Sequence, residues 1–217
     1  MFTGIVQAVG SVARTKVRGG GLRVAIAAGG LGLADVAIGD SIAVNGCCLT
    51  VIARTRGGFE ADVSAETLTC TTGFAAGTPV NLEKALRLAD RLGGHLMTGH
   101  VDGAGTVAAF ARDGTSWRLA VDVPRALAPY VARKGSIAVN GVSLTVNAVR
   151  GARFEANLIP HTLAQTNLHG LARGARVNLE VDLMARYAER LASAGTITQR
   201  RAAKPRSSRS KGIARAR

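Results

Sequence analysis

Ser41-Ile-Ala-Val-Asn-Gly-Cys-Cys-Leu-Thr-Val51 returns 95 residues later as Ser136-Ile-Ala-Val-Asn-Gly-Val-Ser-Leu-Thr-Val146, identical at nine of eleven positions. The same offset aligns Thr3-Gly4 with Thr98-Gly99, Gly10 with Gly105, Phe59-Glu60-Ala61 with Phe154-Glu155-Ala156, and Thr67-Leu68 with Thr162-Leu163. Toward the end of each copy the offset becomes 97, matching Val80-Asn81-Leu82-Glu83 to Val177-Asn178-Leu179-Glu180 and placing two extra residues in a loop of the second copy. A repeat of this length is a whole small domain, longer than a solenoid unit. The chain reads as a tandem duplication, and two related pockets suit a protein that handles two similar molecules.

The 217 residues are 47% apolar, enough for two cores of roughly 90 residues each. Aromatics make up only 4%, so the cores rest on Val, Ile, Leu and Ala. The formal charge of +14 suggests a polyanion partner until it is mapped: residues 200–217 hold eight Lys or Arg and no acid. The remaining body, at 14 − 8 = +6, is only moderately basic. Three cysteines, two of them adjacent at Cys47 and Cys48, give no even disulfide framework, which fits a reducing cytoplasm. No leader pattern and no membrane-length apolar run stands out.

Both copies consist of short Val-, Ile- and Thr-rich runs separated by glycine breaks such as Gly19-Gly20-Gly21 and Gly151. This spacing predicts an all-β fold of barrels or sandwiches, with closure favoured because a small lobe cannot otherwise cover its edge strands. In the first copy the expected strands lie near 3–15, 22–27, 40–45, 48–55, 58–63 and 79–83. Short helices are expected from Ala65 and Pro160, with Ser64 capping the first, and a helical linker over Glu83 to Leu92. Leu183, Tyr187 and Leu191, with Met184 beside them, predict a final amphipathic helix. The domains are then 1–92, 93–182, a helix over 183–199 and a basic, unstructured tail over 200–217.

In a strand, alternate side chains share a face, so Cys48 and Thr50 point one way, as do their counterparts Ser143 and Thr145. Each lobe thus presents a pair of small polar side chains. The histidines give no metal pattern: His95 and His100 lie five apart, His161 and His169 eight apart, and the cysteines lack CxxC spacing. Gly19-Gly20-Gly21 reads as a hairpin turn and not as a phosphate loop.

Met1-Phe-Thr-Gly-Ile-Val6, Asn45-Gly-Cys-Cys-Leu-Thr-Val51, Gly93-Gly-His-Leu-Met-Thr-Gly-His-Val101, Asn140-Gly-Val-Ser-Leu-Thr-Val146 and Ile159-Pro-His-Thr-Leu163, in this order on this repeat, resemble the riboflavin synthase α-chain over residues 1 to about 195. The resemblance implies two six-stranded Greek-key barrels and a C-terminal helix that helps to hold a homotrimer, with active sites between the first barrel of one subunit and the second barrel of a neighbour. It implies dismutation of two 6,7-dimethyl-8-ribityllumazine molecules: one gives a four-carbon unit to the other, yielding riboflavin and 5-amino-6-ribitylaminouracil. No cofactor and no metal are implied, since one substrate is oxidised at the other's expense.

Carried over by position, Gly4, Ile5 and Val6, with Cys48, Leu49 and Thr50 and with Asp62, Val63, Ser64, Ala65, Glu66 and Thr67, hold the lumazine of the first barrel. Gly99, His100 and Val101, with Lys134, with Ser143, Leu144 and Thr145, and with Asn157, Leu158, Ile159, Pro160, His161 and Thr162, line the second. Cys48, Ser143, His100 and Asp182 are the catalytic candidates implied. For His95, a turn-anchoring hydrogen bond and a catalytic role are both open. Asn140 departs from family members that carry aspartate there. The rival readings are a non-catalytic lumazine- or flavin-binding protein of the same fold and a flavin reductase barrel. The second lacks an Arg-x-Tyr-Ser signature and a nicotinamide domain. Nucleic acid enters only as a nonspecific, salt-sensitive partner of the tail.

Overall fold

The structure, a computed structural model, describes the backbone of residues 1–202 and the side chains of 1–194. Residues 203–217, most of the basic tail, lie outside the described residues. The first copy forms β1 (Ala8–Arg18), β2 (Gly21–Ala27), β3 (Ser41–Val44), β4 (Cys47–Thr55), β5 (Gly58–Val63) and β6 (Pro79–Lys84). The second repeats them as β7 (Gly103–Asp113), β8 (Ser116–Asp122), β9 (Ser136–Val139), β10 (Val142–Arg150), β11 (Arg153–Leu158) and β12 (Arg176–Val181). Both close into antiparallel barrels, ordered β1-β2-β5-β4-β3-β6 and β7-β8-β11-β10-β9-β12. Helices α1 (Ala65–Cys70) and α2 (Pro160–Gln165) follow the fifth strand of each copy, and α3 (Leu183–Ala202) ends the described chain.

Closure bends the strands, and the bends are duplicated too. The register slips between Val12 and Arg14 and between Val51 and Ala53 recur between Val107 and Ala109 and between Val146 and Ala148. A bulge adds local twist and lets a strand turn a barrel corner. Inside each barrel the alternation resolves into a core: Val12, Ile26, Leu49, Val51, Phe59 and Leu82 in the first, and Val107, Leu144, Val146, Phe154, Leu158 and Leu179 in the second. Phe59 and Phe154 are fully buried, each contributing about 2–3 kcal/mol by removal from water.

The turns follow from residue chemistry. Gly19 and Gly20, at φ 55° and 82°, close the β1–β2 hairpin as expected. The Asn-Gly pairs in the middle of the repeated motif adopt the same left-handed turn, with Asn45 at φ 47° and Asn140 at φ 46°. Ser64 caps α1 by accepting from the Thr67 amide, and Pro160 occupies the first turn of α2, where a missing N–H costs nothing.

Two expectations are corrected. The first strand begins at Ala8 and not near residue 3, because the amides of Thr3 and Gly4 are held by the Glu83 carboxylate. Glu83 to Leu92 forms no helix: β6 continues to Lys84, the amides of Ala85 and Leu86 donate to Ser41 and Met1 carbonyls, and Asp90 accepts from the Arg87 amide in a tight turn. Those donors are spent on other partners, so no helical ladder can start.

The two barrels belong to one compact unit, Met1–Leu183. Within it the repeats meet about a pseudo-twofold axis, where the two Asn-Gly turns touch back to back. A Cβ on Gly46 would lie 2.8 Å from the Gly141 amide nitrogen, and one on Gly141 would lie 2.6 Å from that of Gly46. Around them Asn81 donates through its side chain to the Asn140 carbonyl, and Asn178 does the same to Asn45. Phe2 and Met97 pair as an antiparallel bridge on the same axis and are packed with Ala43 and Ala138. Helix α3 is a separate unit whose Met184, Tyr187 and Leu191 are exposed. Among the described residues, no helix is long and apolar enough to cross a membrane.

Candidate active site

Strand alternation divides the candidate residues sharply. On β4, Leu49 enters the first core while Cys48 and Thr50 face outward; on β10, Leu144 enters the second core while Ser143 and Thr145 face outward. The side chains of Leu49, Leu144, Val63 and Leu158 are buried in barrel interiors, which leaves their backbone as the part nearest the outward face. Antiparallel register sets Asp62 of β5 beside Thr50, one step from the Val51–Ala61 pair, and Asn157 of β11 beside Thr145, one step from Val146–Ala156. Each lobe thus carries an outward polar row of matching design.

The segments before β1 and β7 complete these rows, but crosswise. The Ser143 amide donates to the Gly4 carbonyl at 2.9 Å, and Val6 packs against the second core. The Cys48 amide donates to the Gly99 carbonyl at 2.8 Å, and Val101 packs against the first core. Gly4–Val6 thus lies against the second barrel and Gly99–Val101 against the first. Contact is close enough to require glycine, since a Cβ on Gly4 or Gly99 would come within 2.6 Å of the Ser143 or Cys48 Cβ, and both residues have φ near +77°.

The lobes differ in their charged and titratable groups. In the first, Asp62 accepts two hydrogen bonds from Arg23, each 2.8 Å, which hold its carboxyl below the ordinary range. In the second, the pair at the same register is Arg118 and Asn157, and Arg118 leans instead toward Glu155 at 3.9 Å. Lys134 has φ 67° and donates its amide to Val146; its counterpart is Gly39, which donates to Val51. A lysine in the left-handed region carries strain that glycine would not.

His95 joins the second lobe. Its Nδ1 lies 2.7 Å from Ser143 Oγ, and its amide donates to Thr3. Burial pushes the imidazole below its ordinary 6.5, while the charges of Asp182 and Glu180 pull the other way. A neutral ring can therefore exchange a proton with the Ser143 hydroxyl at neutral pH. His100 is exposed and Asp182 half-buried. Cys47, the neighbour of Cys48, is inert by contrast, its thiol pushed up to about 12 mainly by burial. Asn140 is buried, and its side-chain oxygen accepts from the Asn178 amide at 2.8 Å on the pseudo-twofold axis.

The remaining candidates sit at the rims. Ser64, Ala65, Glu66 and Thr67 cap and begin α1, and Ile159, Pro160, His161 and Thr162 do so for α2. A cleft of about 550 Å³ takes in Ile5, Ser41 and Glu83 but none of Cys48, Thr50, Ser143 or Thr145. The polar pairs lie on outer barrel faces, with Thr50, Asp62, Thr145 and Asn157 exposed.

The model of the lumazine binding domain matches twice, over residues 3–85 and 98–182. Riboflavin synthase of Photobacterium phosphoreum is 45% identical over 193 residues, covering 88% of this chain and 88% of its own. The chain belongs to the riboflavin synthase family. Riboflavin synthase of Mycobacterium bovis is likewise 45% identical, over 198 residues that cover 88% of this chain and 98% of its own. Among solved structures, LumP complexed with 6,7-dimethyl-8-(1'-D-ribityl) lumazine superposes with a TM-score of 0.74 at 26% identity, covering 83% of this chain and 99% of LumP. Within the riboflavin synthase family fold, the paired barrels put Cys48 and Ser143 at equivalent positions, and the crossed segments tie each to the other half of the chain.

Proposed function

We propose that the protein is a riboflavin synthase, converting two 6,7-dimethyl-8-ribityllumazine molecules to riboflavin and 5-amino-6-ribitylaminouracil by transfer of a four-carbon unit. The single observation that carries this reading is the retention of both polar pairs, Cys48/Thr50 and Ser143/Thr145, each completed by a crossing segment. A reaction between two like molecules needs two competent lobes; a binder needs one.

The lumazine C7 methyl is acidic because its anion spreads over the ring, so the protein has to position two rings, move a proton and stabilise diffuse negative charge. Ser143, hydrogen-bonded to His95, is the proton-handling group of the second lobe, and Lys134 supplies positive charge nearby. Cys48 holds the matching position in the first, where Asp62, fixed by Arg23, offers a carboxylate to the ribityl hydroxyls. His100 and Asp182 complete the catalytic set. Backbone groups of Gly4–Val6 and Gly99–Val101 read the ring edges.

Both lobes face outward, and the exposed Ile5 and Ile159 at the second are apolar surfaces for a neighbour to cover. This supports a homotrimer in which the first barrel of one protomer meets the second barrel of the next, with two lumazines per site, helped by the apolar stripe of α3. Free Cys47, Cys48 and Cys70 are consistent with a cytoplasmic protein.

Incubating purified protein with the lumazine, with chelator present and no nucleotide added, tests the reading. Riboflavin and the pyrimidine should form in equal amounts. A tight fluorescent complex with no riboflavin would assign the protein to the non-catalytic binders.

A further inference from the structure

Glu83 and Glu180 are buried carboxylates placed by the last strand of each barrel, and neither forms a salt bridge among the described residues. Glu83 accepts from the Thr3 amide at 2.7 Å, the Thr3 hydroxyl at 2.7 Å and the Gly4 amide at 3.0 Å. Glu180 accepts from Thr98 and Gly99 in the same way and at the same distances. A carboxylate taken out of water is costly unless such charge-assisted bonds replace its hydration. For Glu83, burial outweighs the Thr3 and Gly4 hydrogen bonds and holds the carboxyl above its ordinary value. A glutamine here would have to place an NH₂ against one of these N–H donors, so the site demands a carboxylate.

What each carboxylate holds does not serve its own barrel. The segment clamped by Glu83 offers the Gly4 carbonyl to Ser143 of β10, and the segment clamped by Glu180 offers the Gly99 carbonyl to Cys48 of β4. We propose that Glu83 and Glu180 are crossed positioning residues: each fixes the backbone segment that completes the substrate site on the opposite barrel. The proposal rests on the reading of the Cys48 and Ser143 strands as lumazine sites. Neither glutamate touches the substrate. Glu83 acts through Gly4 on the second lobe, and Glu180 acts through Gly99 on the first. The arrangement makes each lobe depend on a residue from the other repeat, so an isolated barrel lacks the clamp that its own site needs.

Amide hydrogen exchange followed by NMR on the ligand-free full chain tests the crossing directly. Glu83→Gln should speed exchange of the Ser143 amide about tenfold or more while leaving Cys48 within about twofold, and Glu180→Gln should do the reverse. Thr3→Val and Thr98→Val, which remove only the hydroxyl arm of each clamp, should give the same crossed pattern more weakly if a glutamine variant does not fold. Lumazine titration then reads the consequence. Glu83→Gln should weaken binding as reported by the Ser143–Thr145 amides and spare that reported by Cys48–Thr50, with Glu180→Gln opposite. Same-barrel loosening, or equal loosening of both amides, would overturn the proposal. Crossed exchange together with no lumazine-induced shift at either strand of the parent protein would uphold the clamps and overturn the substrate reading on which their purpose rests.

Discussion

Nδ1 of His95 lies 2.7 Å from Oγ of Ser143, and Nε2 of the same ring is buried without a hydrogen-bond partner among the described residues. The contact ties the segment after Gly93-Gly94 to β10.

Replacing His95 by Asn preserves a hydrogen-bonding group near the Ser143 hydroxyl but removes the titrating ring. Turnover should fall about a hundredfold with lumazine affinity little changed. Single-turnover kinetics together with a binding titration separate the two. An unchanged rate constant would reduce His95 to a turn anchor.

The same ring gives a pH signature. Its pKa is lowered in the folded chain relative to the ordinary 6.5, so as pH falls below 6.5 the unfolded chain takes up the proton first. Stability due to neutral His95 is therefore complete above 6.5 and is lost as pH falls through the folded value. Denaturant unfolding at stepped pH should show stability rising with pH just below 6.5, and His95→Asn should flatten that slope.

Lys134 occupies a backbone conformation for which its repeat partner is Gly39. Lys134→Gly should relieve about 1 kcal/mol of left-handed strain, so the melting temperature should hold or rise. Under the proposed function turnover should nonetheless drop, because the positive charge assigned to the second lobe is gone. Loss of stability without loss of rate would remove lysine from the site.

Gly99→Ala adds a methyl 2.6 Å from the Cys48 Cβ at φ +78°. The segment should detach from β4 at a cost of at least about 1–2 kcal/mol. Circular dichroism should remain that of two barrels while activity is lost. Wild-type activity would mean that the crossing segment is dispensable.

Asn178 is 2% exposed, and its side chain serves both the Asn45 carbonyl and the Thr72 amide. Asn178→Ala strands both groups and should destabilise the chain by about 2–4 kcal/mol, read as a lowered denaturation midpoint. Asn140→Asp should be milder, because a carboxylate oxygen can still accept from the Asn178 amide.

The repeated eleven-residue motif carried most of the fold by itself. Its period-two pattern sorts Leu49 and Leu144 inward and Cys48 and Ser143 outward, and its Asn-Gly pairs dictate the turns, so strand, hairpin and facing polar pairs are local consequences of residue type. Glu83 to Leu92 has a helix propensity that is local, whereas the Ser41 and Met1 carbonyls that capture the Ala85 and Leu86 amides are distant in sequence.

The sequence leaves His95, just after Gly93-Gly94, open between a turn anchor and a catalytic group. Nothing in the sequence, however, says that Ser143, 48 residues on, would meet it. The crossing of Gly4 to Ser143 and of Gly99 to Cys48 was equally hidden. Patterning determines which face of a strand is polar, because side-chain alternation is a property of the strand alone. Which distant segment finishes that face depends on closing two barrels and packing them about a shared axis. Only the tertiary structure decided that Gly4 would meet Ser143 of the other repeat, and Gly99 Cys48.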